Sequence, residues 1–129
     1  PDPGHSLEPT LLFLFSFLER DTKEKPKQEP AKALMLAKAF IQRQNEGLDF
    51  SKEMFAPGFI MIDAYKKVYT SYLQIPKYNT KKYMIQTHLK NNDMIALLWT
   101  MEDMDKVTIF TFDKDKKITK VQEFVCSNW

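Results

Sequence analysis

A chain of 129 residues, 43% hydrophobic and 28% charged, has the make-up of one globular domain with one core and excludes a largely disordered chain. Nineteen basic against 17 acidic side chains leave a formal charge of +2, so charge alone implies neither a nucleic-acid nor an anionic-membrane partner. The single cysteine, Cys126, excludes an internal disulfide and a Cys-rich metal site, and its strand-like context predicts a small buried thiol.

Residues 1–30 read as a leader, a short apolar helix and a charged linker, and residues 31–129 as the domain. PDPGHS, with His5, has the look of a flexible leader and is set aside. LLFLFSFL, residues 11 to 18, is too short for a bilayer, which needs about 20 apolar residues. It lacks the basic flank and small-residue cleavage site of a signal peptide, since Glu19, Arg20 and Asp21 follow it. A cytoplasmic protein with no membrane span is therefore expected, or an exported one if residues 1–20 derive from a signal region. The segment reads as a helix starting near Glu8 to Thr10, with Pro9 in its first turn, buried against the domain or a partner. DTKEKPKQEP, residues 21 to 30, holds two prolines and no hydrophobic residue and reads as an exposed connection.

AKALMLAKAFIQRQNEG has Leu34, Ala37 and Ile41 at helical spacing, with Met35 and Phe40 beside them and Gly47 as a C-terminal stop. DFSKEMFAPGF predicts a short second helix, capped by Asp49 or Ser51 and ended by Pro57-Gly58. FIMID is a short apolar strand. AYKKVYTSYLQIP carries Val68, Tyr69, Tyr72 and Ile75 at helical spacing, and a helix is expected there despite the β-propensity of VYTSY. Four strand-like runs follow, KKYMIQTHLK, DMIALLWTMED, KVTIFTF and KITKVQEFV, with Asn91-Asn92-Asp93 as a tight turn between the first two. Helices first and then an antiparallel meander make an α+β domain with helices on one sheet face.

Neither face of these strands reads as solvent. Thr108, Phe110 and Phe112 point one way, and Val107, Ile109 and Thr111 the other. With Asn91-Asn92 as the loop, His88 falls opposite Ile95, Gln86 opposite Leu97 and Met84 opposite Trp99. One face is expected to pack on the helices and the other on a second subunit.

MFAPGF, HLKNNDMIALLWTM and TIFTFDKDKKITKVQEF make residues 31 to 126 resemble the nuclear transport factor 2-like superfamily, in particular its SnoaL-like branch. The final hairpin is similar to the superfamily's Phe-x-x-Gly-Lys-Ile, with Lys116 in the place of the glycine. The resemblance implies a cone-shaped α+β domain whose curved sheet encloses a pocket, no cofactor, and a homodimer through the sheet. The superfamily hosts isomerases, dehydratases, epoxide hydrolases, cyclases and non-catalytic proteins, so function rests on the site. Related enzymes use an Asp or His as base and a tyrosine or carboxylic acid to polarise the substrate oxygen. On that pattern Asp63, His88, Tyr65 and Tyr69 are the candidate catalytic residues, with Asp63 expected to have a raised pKa. Trp99, Gln86, Met84 and Phe110 are the candidate ligand contacts.

Each candidate has a plainer role open to it. Asp63 can cap the element that follows, His88 can be a wet strand-end histidine, and tyrosines, Trp99 and methionines commonly fill core or rim. The aspartate-arginine-aspartate set of epoxide hydrolases finds little support, because Arg20 and Arg43 are the only arginines. A chain with three glycines and neither GxSxG nor HExxH offers no phosphate cradle or serine-hydrolase or zincin motif, and two histidines make no His-rich metal site. KKYMIQ and YKKVY could stack single-stranded bases, yet a half-buried strand gives the same pattern, and no nucleic-acid partner is expected. Two classes stay open: a protein binding a small apolar ligand, with isomerase-, cyclase- or dehydratase-type proton transfer, and a non-catalytic assembly module.

Overall fold

The computed structural model describes residues 32–126. The expected apolar helix and linker of residues 1–30 lie outside the described residues.

The helix α1, Lys32–Glu46, forms where the sequence has three alanines and no glycine or proline. Ala33, Ala37, Phe40, Ile41 and Gln44 make its buried stripe. It stops at Gly47, whose φ of +73° only glycine takes without strain, and the Leu48 N–H then donates to the Arg43 carbonyl at 2.9 Å, closing a Schellman motif.

The strands are β1 (Phe55–Ile62), β2 (Val68–Tyr69), β3 (Tyr83–Asn91), β4 (Met94–Met101), β5 (Met104–Phe112) and β6 (Ile118–Cys126). They form one curved sheet in the order β2-β1-β6-β5-β4-β3, not closed into a barrel, and antiparallel except where β1 runs parallel to β6. The four-strand meander is as the sequence predicts. α1 lies on the concave face, where Phe40 meets Phe110 edge-on at 5.2 Å and Phe50 at 5.0 Å, above a floor of Ile95, Leu97, Met61 and Val121.

Four expectations are corrected. The second helix over residues 49–58 is only a 3₁₀ turn, Lys52–Met54, and β1 begins at Phe55, before Pro57-Gly58. The bulge in β1 explains why proline is tolerated there: the register with β6 shifts between Phe55 and Ile60, so the missing Pro57 N–H breaks no ladder bond. The helix expected over residues 64–76 is a turn, the two-residue β2 and a 3₁₀ turn, Tyr72–Gln74; β-branched and aromatic residues pair with β1 instead.

The β3–β4 register also differs. Asn92-Asp93 makes the turn, with Asn92 at φ +54°, so His88 pairs with Leu97 rather than Ile95. That two-residue slip keeps His88 on the same side. A bulge at Gln86 then shifts the register by one, which turns Met84 outward and brings Ile85 and Tyr83 opposite Trp99 and Met101. Finally Cys126, expected buried, is exposed at the end of β6.

Candidate ligand-binding site on the concave face

Alternation along β5 places Lys106, Thr108, Phe110 and Phe112 on the concave side, and along β6 it places Val121 and Glu123 there. Five of these six positions are apolar or carry a hydroxyl or carboxylate; the sixth puts an ammonium under the core. Lys106 and Glu123 form an ion pair at 3.2 Å, each with 4% of its side chain exposed. Tyr78, carried in by the loop between the Tyr72–Gln74 turn and β3, donates its hydroxyl to Glu123 Oε2 at 3.1 Å and accepts from Lys106 Nζ at 3.3 Å. The Lys106 ammonium lies over the Tyr78 ring at 4.4 Å and the Trp99 ring at 4.9 Å, which offsets part of its lost hydration. Trp99 is 1% exposed and donates its indole N–H to Thr108 Oγ1 at 2.9 Å.

Asp63 lies just beyond the end of β1, next to Glu123 in the continued β1–β6 register. Its Oδ1 accepts the N–H groups of Tyr65 and Lys67, and its Oδ2 accepts the Tyr69 hydroxyl at 2.9 Å. Burial pushes the carboxyl up, but the hydrogen bonds from Lys67, Tyr69 and Tyr65 outweigh it and hold Asp63 below its ordinary value. The raised pKa expected of this group is thereby corrected: Asp63 is an anion that clips a turn. The tyrosines shift the other way. Burial first, and then the Glu123 charge and hydrogen bond, push Tyr78 far up, and burial followed by the Asp63 hydrogen bond pushes Tyr69 up. Both hydroxyls hold their protons at neutral pH. The site thus presents two carboxylates, one ammonium and two protonated phenols against an apolar floor.

The same loop is strapped to the end of α1. The Tyr78 N–H donates to the Gln44 carbonyl at 2.8 Å, Gln44 Nε2 donates to Pro76 O at 3.3 Å, and the Tyr83 hydroxyl donates to Glu46 at 2.7 Å. Gln44 Oε1 and Asn45 Oδ1, both fully buried, have no protein donor among the described residues.

Of the sequence candidates, Asp63 and Tyr69 come together, and Trp99 sits within the Lys106 group. Tyr65 contributes its backbone N–H to Asp63, while its side chain is in solvent, 87% exposed. His88 is half-buried on β3, at the opposite edge of the sheet from Asp63. Phe110 is fully buried in the core against Phe40 and Phe112. Met84, 61% exposed, and Gln86 lie at the outer surface. Sequence reasoning missed Lys106 and Tyr78. For Lys106 the signal was present, since it is in phase with Thr108, Phe110 and Phe112; for Tyr78, in an irregular loop, there was none. Among the described residues, no three His, Cys, Asp or Glu side chains converge as a metal site, and no helix is long and apolar enough to cross a membrane.

No protein-family model matches the chain, and no curated protein matches it either. Solved structures do. A nuclear transport factor 2-like protein of unknown function from Burkholderia xenovorans superposes with a TM-score of 0.62 at 12% identity, over 76% of this chain and 85% of that one. A SnoaL-like protein of unknown function from Burkholderia thailandensis gives 0.59 at 17% identity, over 77% and 100%. A candidate isomerase of the SnoaL-like family from Agrobacterium tumefaciens gives 0.58 at 12% identity, over 74% and 97%. With one helix among the described residues packed on a curved six-stranded sheet, and with these neighbours, the chain has the nuclear transport factor 2-like fold.

Proposed function

We propose that the domain binds a small, mostly apolar molecule bearing one oxygen function on its concave face, at the Lys106–Tyr78–Glu123 end. The carrying observation is the buried ion pair itself. A buried pair is weak support for a fold, because apolar residues of similar volume are often as stable. Lys106 and Glu123 therefore suit a site better than a core. Lys106 and Tyr78 would meet the ligand oxygen, and Trp99 and Leu97 its apolar body. Cofactor-free proton transfer, of isomerase, cyclase or dehydratase type, is the chemistry these groups offer: a protonated phenol polarises an oxygen while a neighbouring carboxylate takes a carbon-bound proton.

The test uses Trp99 emission in a Trp129→Phe background, titrated with 1-tetralone and with progesterone. Saturable quenching that Lys106→Met weakens is the expected result. If neither compound moves the emission, and denatured protein from its source releases no stoichiometric small molecule, the reading is wrong. Hydrogen–deuterium exchange at the α-carbon of bound tetralone checks the chemistry separately; binding without accelerated exchange removes catalysis and leaves binding.

The outer sheet face favours a second reading, an assembly module. Cross-strand pairing puts Leu98 beside Val107 and Val107 beside Phe124, while Ile109 pairs with Gln122 and Gln122 with Ile62. Phe124 is 43% exposed. A homodimer through this face would bury that row. Sedimentation should give twice the 15.2 kDa chain mass, and Ile109→Lys should return it to one.

A further inference from the structure

A separate groove of about 610 Å³ opens between β1 and residues 70–72. It exists because two chains that pair further along come apart here. β1 and β2 are in register only at Met61↔Tyr69 and Ile62↔Val68, and on its other side β1 loses register with β6 between Phe55 and Ile60. Residues 56–59 thus have no registered partner on either side among the described residues. Gly58, at φ +80°, adds no side chain, and a Cβ built there would meet nothing within 4 Å.

The groove is aromatic at its floor and charged at its rim. Phe55 stacks on Tyr72 at 5.3 Å and 12°, and Phe59 leans on Phe55 at 4.6 Å; Phe55 and Phe59 are buried and fixed by the core. Lys52 and Lys117 stand at the rim with Glu53. The Glu53 carboxylate is engaged by the Ser51 hydroxyl at 2.5 Å, and Lys117 Nζ donates to the Glu53 backbone carbonyl at 3.1 Å. Two ammonium groups against one carboxylate leave the rim one positive charge in excess. The opposite wall has few donors to spare, because the Thr70 N–H is taken by Gln74 Oε1 and the Leu73 N–H by Ser71 Oγ.

We propose that this groove is a second ligand site, distinct from the concave one, and that it takes a flat aromatic monoanion, a carboxylate or sulfonate on a ring system. The rings lie on Phe55, Phe59 and Tyr72, and the anion is met by Lys52 and Lys117. The volume falls within the range of small-molecule sites, about 300–1,000 Å³. A phosphate-type dianion fits poorly, since the excess rim charge is one and the backbone donors are already used. None of Lys106, Glu123, Tyr78 or Asp63 lines the groove, so this site stands or falls apart from the function proposed above.

Two dyes that differ by one sulfonate group test it: 8-anilinonaphthalene-1-sulfonate and the neutral N-phenyl-1-naphthylamine, titrated into the full chain. The sulfonate dye is expected to bind 1:1 and to shift the amide resonances of Gly58, Thr70 and Ser71. Lys52→Ala combined with Lys117→Ala should weaken the sulfonate at least ~ten-fold, through the loss of both charge-assisted contacts, and the neutral dye less than two-fold. Thr70→Trp should fill the groove and block both dyes. Shifts confined to outer-face residues such as Leu98 and Ile109 would overturn the site. Equal loss of both dyes in the lysine variant would overturn the anion.

Discussion

Lys106 and Glu123 form a diagonal pair across β5 and β6, 3.2 Å apart and sealed from water at 4% exposure each. Lys106→Met leaves the Glu123 carboxylate buried with the Tyr78 hydroxyl still donating to it, a loss of about 3–5 kcal/mol. Adding Glu123→Gln removes the stranded charge and should recover at least half of that. Urea midpoints of the wild type, the two single variants and the double variant close the cycle. A double variant as unstable as the sum of the singles would mean the two side chains act independently.

Asp63 governs part of the acid limb. Its folded pKa lies below the unfolded value, so the unfolded chain binds protons first as pH falls, and the stability Asp63 contributes is present above about 3.8 and lost below it. Asp63→Asn should lower stability at pH 7 by about 1–2 kcal/mol and flatten the decline between pH 5 and 3. Asp49, lowered by Lys77, and Glu53, lowered by the Ser51 hydroxyl, add to the same limb in both proteins, so the difference between them isolates Asp63. Identical acid slopes would show the clip at Asp63 to be idle.

Tyr83 shares the alkaline limb with Tyr78 and Tyr69, whose hydroxyls are also pushed up. Burial, and then the hydrogen bond and charge of Glu46, push its hydroxyl up to about 12 from 10.0. A folded pKa above the unfolded one means that stability is present below pH 10 and is lost as pH rises towards 12. Tyrosinate absorbance at 295 nm should show a late-ionising group that Tyr83→Phe removes, and the variant should lose about 1 kcal/mol at pH 7. A titration unchanged by the substitution would place the late group elsewhere.

Three positions of positive φ separate backbone strain from contact. Lys116 sits at φ +63°, the conformation that glycine takes at no cost, so Lys116→Gly should stabilise by about 0.5–1 kcal/mol. Gly47→Ala and Gly58→Ala both introduce that strain, but a Cβ at Gly47 would also lie 3.1 Å from Asn79 Oδ1, whereas Gly58 faces open space. Gly47→Ala should therefore be the more damaging, by about 1 kcal/mol in chemical denaturation. The reverse order would mean that the loop carrying Asn79 yields freely.

What could be read in the sequence followed period and local chemistry. α1 and the four-strand meander are legible because their apolar repeats run for eight residues or more. β2 is two residues long and offers no period, although its turn has a written echo. Asp63-Ala-Tyr-Lys-Lys-Val matches Asp113-Lys-Asp-Lys-Lys-Ile, and the two fold alike: each aspartate Oδ1 accepts two N–H groups, and each fourth residue, Lys66 or Lys116, takes a positive φ. The second copy was legible as a hairpin and the first was not, because aromatic side chains at helical spacing masked it. The register of β3 was out of reach, since the bulge at Gln86 answers to packing of Ile85 and Tyr83 on the core rather than to any local preference. The site was half legible for the same reason: strand alternation reveals Lys106, but nothing local brings Tyr78 to it.

The one parallel pairing in the sheet orders events in time. β3, β4, β5 and β6 are joined by tight turns and can zip up as each is made. β1 cannot join them until β6 exists, because Met61 pairs with Val121, about 60 positions later, and closing so long a loop costs entropy before any contact repays it. α1 waits as well, since the Phe110 ring it rests on belongs to that same late meander. During synthesis the first half of the domain therefore holds its phenylalanines in water until the last strand emerges. Refolding should be slow and prone to association, with docking of the α1–β1 half onto a preformed meander as its final step.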